Sequence, residues 1–240
     1  MKQMLPVYVI HVSKGYEERA RSIRTQLEAN SLDFEFVLKH DCDALSPEFI
    51  TAHFAGKMSR PQPATSCAAK HIEAWKKMEA QDETWLLVLE DDILLHKEFR
   101  SKLNEIINEA QAKGLDQRPV LISLENSGLR FVPSAEIKKD TLLYSALETR
   151  CTGAYLINRS GAMAYLKRLS EEKMDQTIDW WMGAMAKQQC VDIYWAHPTI
   201  AEQGSHSGVF ASAIDHKPKG AFRRVSWNLQ RIYKMYFRRR

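Results

Sequence analysis

The chain has 240 residues, 45% of them hydrophobic and 27% charged, the balance of a soluble globular protein able to bury one large core. No apolar run approaches the ~18 residues of a membrane span. The four cysteines, Cys42, Cys67, Cys151 and Cys190, stand too far apart for a Cys-x-x-Cys zinc or redox motif. The formal charge of +4 is concentrated at one end: nine Lys/Arg and no acid lie from Lys217 onward, leaving 25 basic against 30 acidic residues before it. A nucleic-acid partner is therefore not expected for the body. The opening Met1-Lys2-Gln3-Met4-Leu5-Pro6 leads into too short an apolar segment for a signal peptide, so a cytoplasmic protein with reduced thiols is expected.

In chain order, Val7 to Val12 is β-branched and aromatic and predicts a first strand, ending at His11, Ser13 and Gly15. Tyr16, Ala20, Ile23 and Leu27 recur at helical spacing, and Asn30 and Ser31 close that helix. Phe34 to Leu38 alternates as a second strand. Strand, helix, strand in close succession is the opening of a βαβ nucleotide-binding layout, here without a G-x-G-x-x-G fingerprint. Ser46-Pro47-Glu48 starts a helix, and residues 55–66 have the composition of a mobile flap. A helix with Ala68, Ile72 and Trp75 leads to Trp85–Leu89, a continuously apolar run that reads as a strand covered on both faces. Phe99, Leu103, Ile106 and Ala110 predict a helix stopped near Gly114, and Val120 to Leu124 a strand. Residues 125–150 read as a hairpin or a substrate loop. Ala154 to Ile157 predicts a strand, with Asn158 capping a helix through Leu169 and Asp175 capping another through Gln188. Asp192 to Ala196 is a last strand before a loop from Pro198 to Ser207. The alternation argues a single α/β domain, residues 1–215, with a mostly parallel, Rossmann-like sheet. A basic amphipathic tail follows, residues 216–240.

The apolar strand ends on three adjacent carboxylates, Glu90, Asp91 and Asp92, after which Ile93, Leu94 and Leu95 resume at once. Acids that interrupt a buried run repel one another and lose hydration, and a hard divalent cation is one compensation. An acidic turn capping the next helix is the other reading. Asp179-Trp180-Trp181 is a second constellation. Neighbours on a helix point about 100° apart, so the two tryptophans cannot both face one core. One of them is expected to line a cleft, where its face suits a sugar ring, with Asp179 placed to take a proton from a hydroxyl. The other reading is one core tryptophan and a surface acid. In the polar loop Gln203–Gly208, His206 is a candidate metal ligand or a solvated side chain, and His197, before Pro198, is an alternative ligand in a weaker setting. His11, Ser13 and Arg19 stand at the first strand end, where a nucleotide fits, although Arg19 also reads as a helix-surface charge. Thr152 and Gly153 open a strand where glycine permits close backbone approach.

From the first strand to about Ser207 the chain resembles the family 25 glycosyltransferases, bacterial lipooligosaccharide enzymes related to collagen galactosyltransferases. The likeness rests on the strand into Glu90-Asp91-Asp92, on Thr152-Gly153-Ala154-Tyr155-Leu156-Ile157 with Ser160-Gly161-Ala162, and on Asp179 and Pro198–Gln203. Cys67, His71 and Trp75 also follow a family pattern, with Lys70 where that pattern has serine. The resemblance implies a GT-A-like fold, a UDP-sugar donor (often UDP-galactose), Mn²⁺ or Mg²⁺, and inversion at the anomeric carbon. It casts Glu90, Asp91, Asp92 and His206 as metal ligands. Their own positions make Asp179 the expected base, and His11, Ser13, Arg19, Thr152, Gly153 and Trp180 the expected donor contacts. The expected activity is transfer of a sugar, galactose, to a lipid-linked lipooligosaccharide acceptor. The alternatives are a metal-dependent nucleotidyltransferase or phosphohydrolase, and a non-catalytic carbohydrate- or membrane-binding module.

In the tail, Phe222, Val225, Leu229, Ile232 and Tyr236 form a helical apolar stripe. Arg223, Arg224, Arg231, Lys234 and Arg238-Arg239-Arg240 flank it, with Trp227, Tyr233 and Phe237. Such a helix suits an anionic membrane surface, here the inner face of the cytoplasmic membrane. The other reading docks the stripe on the enzyme's own body.

Overall fold

A computed structural model describes residues 5–211 and 221–237, with side chains of the last helix described over 225–235. One seven-stranded sheet organises them, in the order β2-β1-β3-β7-β5-β8-β6. Its strands are β1 (Val7–Ile10), β2 (Glu35–Val37), β3 (Trp85–Glu90), β5 (Val120–Ser123), β6 (Leu143–Ala146), β7 (Ala154–Asn158) and β8 (Asp192–Ala196). β1 pairs parallel with β2 and β3, and β5 with β8, while β7 lies antiparallel between β3 and β5, and β6 antiparallel on β8. Five of the seven strands therefore point one way, the mostly parallel α/β sheet expected.

Helices cover both faces, which is why the central strands are apolar throughout. Along β3, Leu86 and Val88 join the cluster containing Ile72, Trp75, Tyr165 and Trp181. Leu87 and Leu89 join the one containing Ile23, Leu27, Leu103 and Ile106. The first face is covered by α2 (Pro47–His53), α3 (Pro63–Lys77), α5 (Arg159–Glu171) and α6 (Ile178–Lys187), the second by α1 (Glu17–Ala29) and α4 (Phe99–Ala112). Local signals set the boundaries. Ser46 caps α2 by accepting from Phe49 N at 3.1 Å, and Asn158 caps α5 by accepting from Gly161 N at 2.8 Å.

Four stretches differ from the sequence reading. Residues 55–66 are tied down: Ala55 N donates to Met174 O at 2.9 Å, the Thr65 hydroxyl donates to Met58 O at 3.0 Å, and α3 already starts at Pro63. The helix expected from Asp175 begins at Ile178, because Met174 is engaged with α2, its N donating to His53 O. In residues 125–150 the strand β6 finds its partner in β8, far along the chain, so no local pattern could mark it. The loop after Pro198 contains β9 (Ala201–Gln203), paired antiparallel with β4 (Ile93–Leu95), and a single helical turn, α7 (Gly204–Ser207).

The last helix, α8 (Ala221–Phe237), packs beside α7. Trp227, Arg231 and Met235 face the body across a cavity of about 100 Å³, also lined by Phe131 and Pro198, and Arg231 Nη1 stands 3.5 Å from Glu202 Oε2. Val225, Leu229 and Ile232 of the apolar stripe are more than half exposed, as is Tyr233. These described residues of the stripe therefore point outward, and a different face of the helix docks. The side chains of Phe222, Arg223, Arg224, Tyr236 and Phe237, residues 238–240 and the expected domain boundary at 215/216 lie outside the described residues.

Candidate active site

The parallel strands bring their carboxyl ends to one edge of the sheet, where ligands bind in open α/β folds. Strand β7 runs the other way, so its first residues arrive at the same edge. Leu89 pairs with Ala154, and Glu90 N donates to Gly153 O at 2.8 Å. Above this edge is a cleft of about 1020 Å³. His11, Ser13, Arg19, Glu90, Asp91, Asp92, Thr152, Asp179, Trp180 and His206 all line it.

The three acids have different surroundings. Asp91 Oδ2 accepts from His11 Nδ1 at 2.7 Å, and its Oδ1 accepts from Arg19 Nη1 at 3.0 Å. Arg19 also donates to the Ala211 carbonyl. Glu90 Oε1 accepts from the Thr152 hydroxyl at 2.8 Å, and its Oε2 accepts from Gln203 Nε2 at 3.0 Å. Burial pushes the Glu90 carboxyl up, but His71 and Thr152 outweigh it and hold it below its usual range. Asp92 is buried. Its Oδ2 accepts from Ser205 N at 3.3 Å, and its Oδ1 has no hydrogen-bond partner. Burial, then repulsion from Glu90, push its carboxyl up to about 6. A buried carboxylate oxygen without a donor is costly. The residues present thus fit a hard divalent ion, which takes oxygen ligands and supplies the missing charge.

Gly153 does not line the cleft. The space a side chain would fill there is taken by Gln203, whose Cγ lies 2.5 Å from an ideal Cβ position, so the glycine lets Gln203 reach Glu90. Trp180 is exposed in the cleft wall, whereas Trp181 is buried against Trp75 and Tyr165. Asp179 stands in the first turn of α6, its Oδ1 accepting from the Thr177 hydroxyl at 2.6 Å, with no ion pair among the described residues. His206 reaches the cleft from α7. His197 is elsewhere, beside Tyr144 and the small cavity under α8.

Two buried ionisable groups have no role in the expectations drawn from sequence, although Lys70 stands out there as a departure from the family pattern. Lys70 is buried, and its Nζ lies 2.8 Å from Asp41 Oδ1 and donates to the carbonyls of Leu38 at 2.9 Å and Lys39 at 3.0 Å. Against burial, which raises it, Lys70 and Ser13 hold the Asp41 carboxyl below its usual range. The available signal was a lysine within the apolar run Ala68–Ile72. Glu125 is fully buried just beyond β5. Its Oε2 accepts from Ser127 N at 2.6 Å, its Oε1 has no partner, and burial pushes it up to about 7. Its flanking sequence resembles a loop and carried no signal.

The family model described as Glycosyltransferase family 25 (LPS biosynthesis protein) matches residues 4–182. The chain belongs to glycosyltransferase family 25. Procollagen galactosyltransferase 1 of Danio rerio is 21% identical over 200 residues, 80% of this chain, and the chain spans about a third (33%) of that relative's length. Among solved structures, a glycosyltransferase involved in the glycosylation of the major capsid of PBCV-1 is 9% identical, covering 94% of this chain and 99% of that chain at a TM-score of 0.49. S. aureus TarS 1-349 is 12% identical, covering 98% and 73% at a TM-score of 0.45.

Proposed function

We propose that this family 25 chain is a metal-dependent inverting glycosyltransferase that moves galactose from UDP-galactose to a lipooligosaccharide acceptor. The observation that carries the reading is Asp92 Oδ1, buried without a partner at the strand end under the cleft. Asp92, with Glu90 and His206, would hold Mn²⁺ or Mg²⁺, which when bound neutralises charge on the donor diphosphate. Asp91, whose oxygens meet His11 and Arg19, orients those two side chains toward the donor. Ser13 and Thr152 line the donor's side of the cleft, and Trp180 offers a flat face to a sugar ring. Asp179 accepts the proton of the acceptor hydroxyl as that oxygen attacks the anomeric carbon. Galactose is favoured by the name of the Danio rerio relative and lipooligosaccharide by the family description. The test is a panel of UDP-sugars with Mn²⁺. Slow donor hydrolysis selective for UDP-galactose and abolished by a chelator is expected. Phosphate release without sugar selectivity would point instead to a phosphohydrolase, and no turnover with any donor to a binding module.

The reading extends to an anionic membrane at which a lipid-linked acceptor resides, the inner face of the cytoplasmic membrane. No described helix is long and apolar enough to cross a membrane. What supports surface attachment is the outward stripe of Val225, Leu229 and Ile232 on a helix rich in Lys and Arg. Each such cation near an anionic surface contributes about 1 kcal/mol, screened by salt. Because Trp227 and Arg231 serve the docked face, Leu229→Asp with Ile232→Asp is a cleaner perturbation than truncation. Sedimentation with anionic vesicles should be lost while activity on a soluble acceptor persists; unchanged sedimentation would refute the attachment.

A further inference from the structure

A second set of ligands of different chemistry meets at the floor of the cleft. Cys67 and His71 are four residues apart on α3, hence on one helix face. Cys67 Sγ, a His71 ring nitrogen and a Glu90 carboxylate oxygen lie within 4.8 Å of one another. His71 is fully buried, and its Nε2 has no hydrogen-bond partner. Glu90 Oε1 stands 3.6 Å from that nitrogen. This is too long for a hydrogen bond. It is close to the ~3.4 Å edge of a tetrahedron built on metal–ligand bonds of about 2.0–2.1 Å. The other ring nitrogen is already oriented: Nδ1 lies 2.9 Å from the Tyr155 hydroxyl, whose oxygen accepts from Trp75 Nε1 at 3.0 Å. An imidazole fixed through one nitrogen and unpartnered at the other is the arrangement found behind metal-ligating histidines.

We propose that Cys67, His71 and Glu90 form a binding site for a borderline-soft divalent ion of the zinc type, which shares Glu90 but no other ligand with the oxygen site at Asp92. Three protein ligands leave a fourth position, and since Cys67 and Glu90 both line the cleft, that position faces the cleft. Sulfur and nitrogen donors select Zn²⁺ or Co²⁺ over Mg²⁺. A thiol ligates as its thiolate, so binding exchanges the Cys67 proton for the ion. The wide spacing of the cysteines hid the site, because only one of them contributes. The two metal sites touch through Glu90, whose Oε1 faces His71 while its Oε2 faces Gln203. The proposal stands on this geometry and does not rest on the transferase reading.

The probe is Co²⁺, added without nucleotide to the full, metal-stripped chain. One equivalent should produce the charge-transfer absorption of a cobalt–thiolate bond, and Zn²⁺ should displace it. Cys67→Ser should remove the band. His71→Gln should weaken Co²⁺ affinity at least about tenfold, with Glu90→Gln as the substitute if that variant does not fold. Asp92→Asn should keep the band while losing Mn²⁺-dependent UDP binding, which separates this site from the donor site. Absence of the band in folded wild type, its survival in Cys67→Ser, its loss in Asp92→Asn, or unchanged affinity in the folded histidine or glutamate variant would each overturn the proposal.

Discussion

Asp92→Asn tests the electrostatics of the strand end without any assay of transfer. In the fold, burial and Glu90 push this carboxyl from the ordinary 3.8 up to about 6. A raised value means that ionisation is harder in the folded chain than in the unfolded one. Stability tied to this group is therefore fully present below pH 3.8 and is lost as pH rises through 6. A gap of about two pH units, at about 1.4 kcal/mol each, amounts to about 3 kcal/mol. The variant retains an oxygen to accept from Ser205 N, and its buried amide hydrogens cost about 1–3 kcal/mol at every pH. Urea unfolding of both proteins with a chelator present, from pH 4 to pH 8, should give a difference curve that moves about 2–3 kcal/mol in favour of the variant as pH rises. Mn²⁺ at pH 7.5 should then raise the wild-type midpoint and leave that of Asp92→Asn unchanged. Parallel pH curves, or equal stabilisation of both proteins by Mn²⁺, would refute the reasoning.

Asp179→Asn should lower kcat roughly 10²–10⁴-fold with donor affinity kept, since the amide oxygen still accepts from Thr177 but takes no proton; donor affinity that collapses with the rate would make Asp179 a sugar ligand instead. His206→Ala should weaken Mn²⁺ binding about tenfold with metal-free UDP binding unchanged, and equal losses in both titrations would remove the histidine from the metal set. Lys70→Met should cost about 3 kcal/mol by stranding Asp41 beside the carbonyls of Leu38 and Lys39. Adding Asp41→Asn should recover part of that loss, and strict additivity would argue against the pair. Gly153→Ala should destabilise by about 1–3 kcal/mol through its clash with Gln203. Gln203→Ala in the same chain should relieve it, and no relief would place the strain elsewhere.

The sheet and its helices were legible because their signals are local. A buried strand such as Trp85–Glu90 shows as an apolar run, α4 as a stripe of Phe99, Leu103, Ile106 and Ala110, and α5 as a cap at Asn158. Apart from Gly153, the candidate residues drawn from strand ends and from α6 reach one cleft for the same reason: each sits where an apolar pattern stops. What stayed hidden depends on partners distant in sequence. Strand β6 is a strand because of β8, β9 because of β4, and Gly153 is small because Gln203 needs the room. The outward turn of the α8 stripe was equally unreadable, since Trp227 and Arg231 dock through contacts that no periodicity records.

The antiparallel pairing of β4 with β9 has a consequence for how the protein is made. Gln203, Gly204 and Ser205 supply the Glu90 amide partner, the donor to the Asp92 carbonyl at 2.7 Å and the donor to the Asp92 carboxylate. They follow the acids by more than a hundred residues and lie beyond residue 182, where the family match stops. A nascent chain whose N-terminal strands are already out therefore holds its most repulsive carboxylates without these partners until residues 201–205 emerge. Closure of that small ribbon joins residues 93–95 to residues 201–203, so the carboxylates at the strand end gain their full set of partners only once this late segment has emerged and paired.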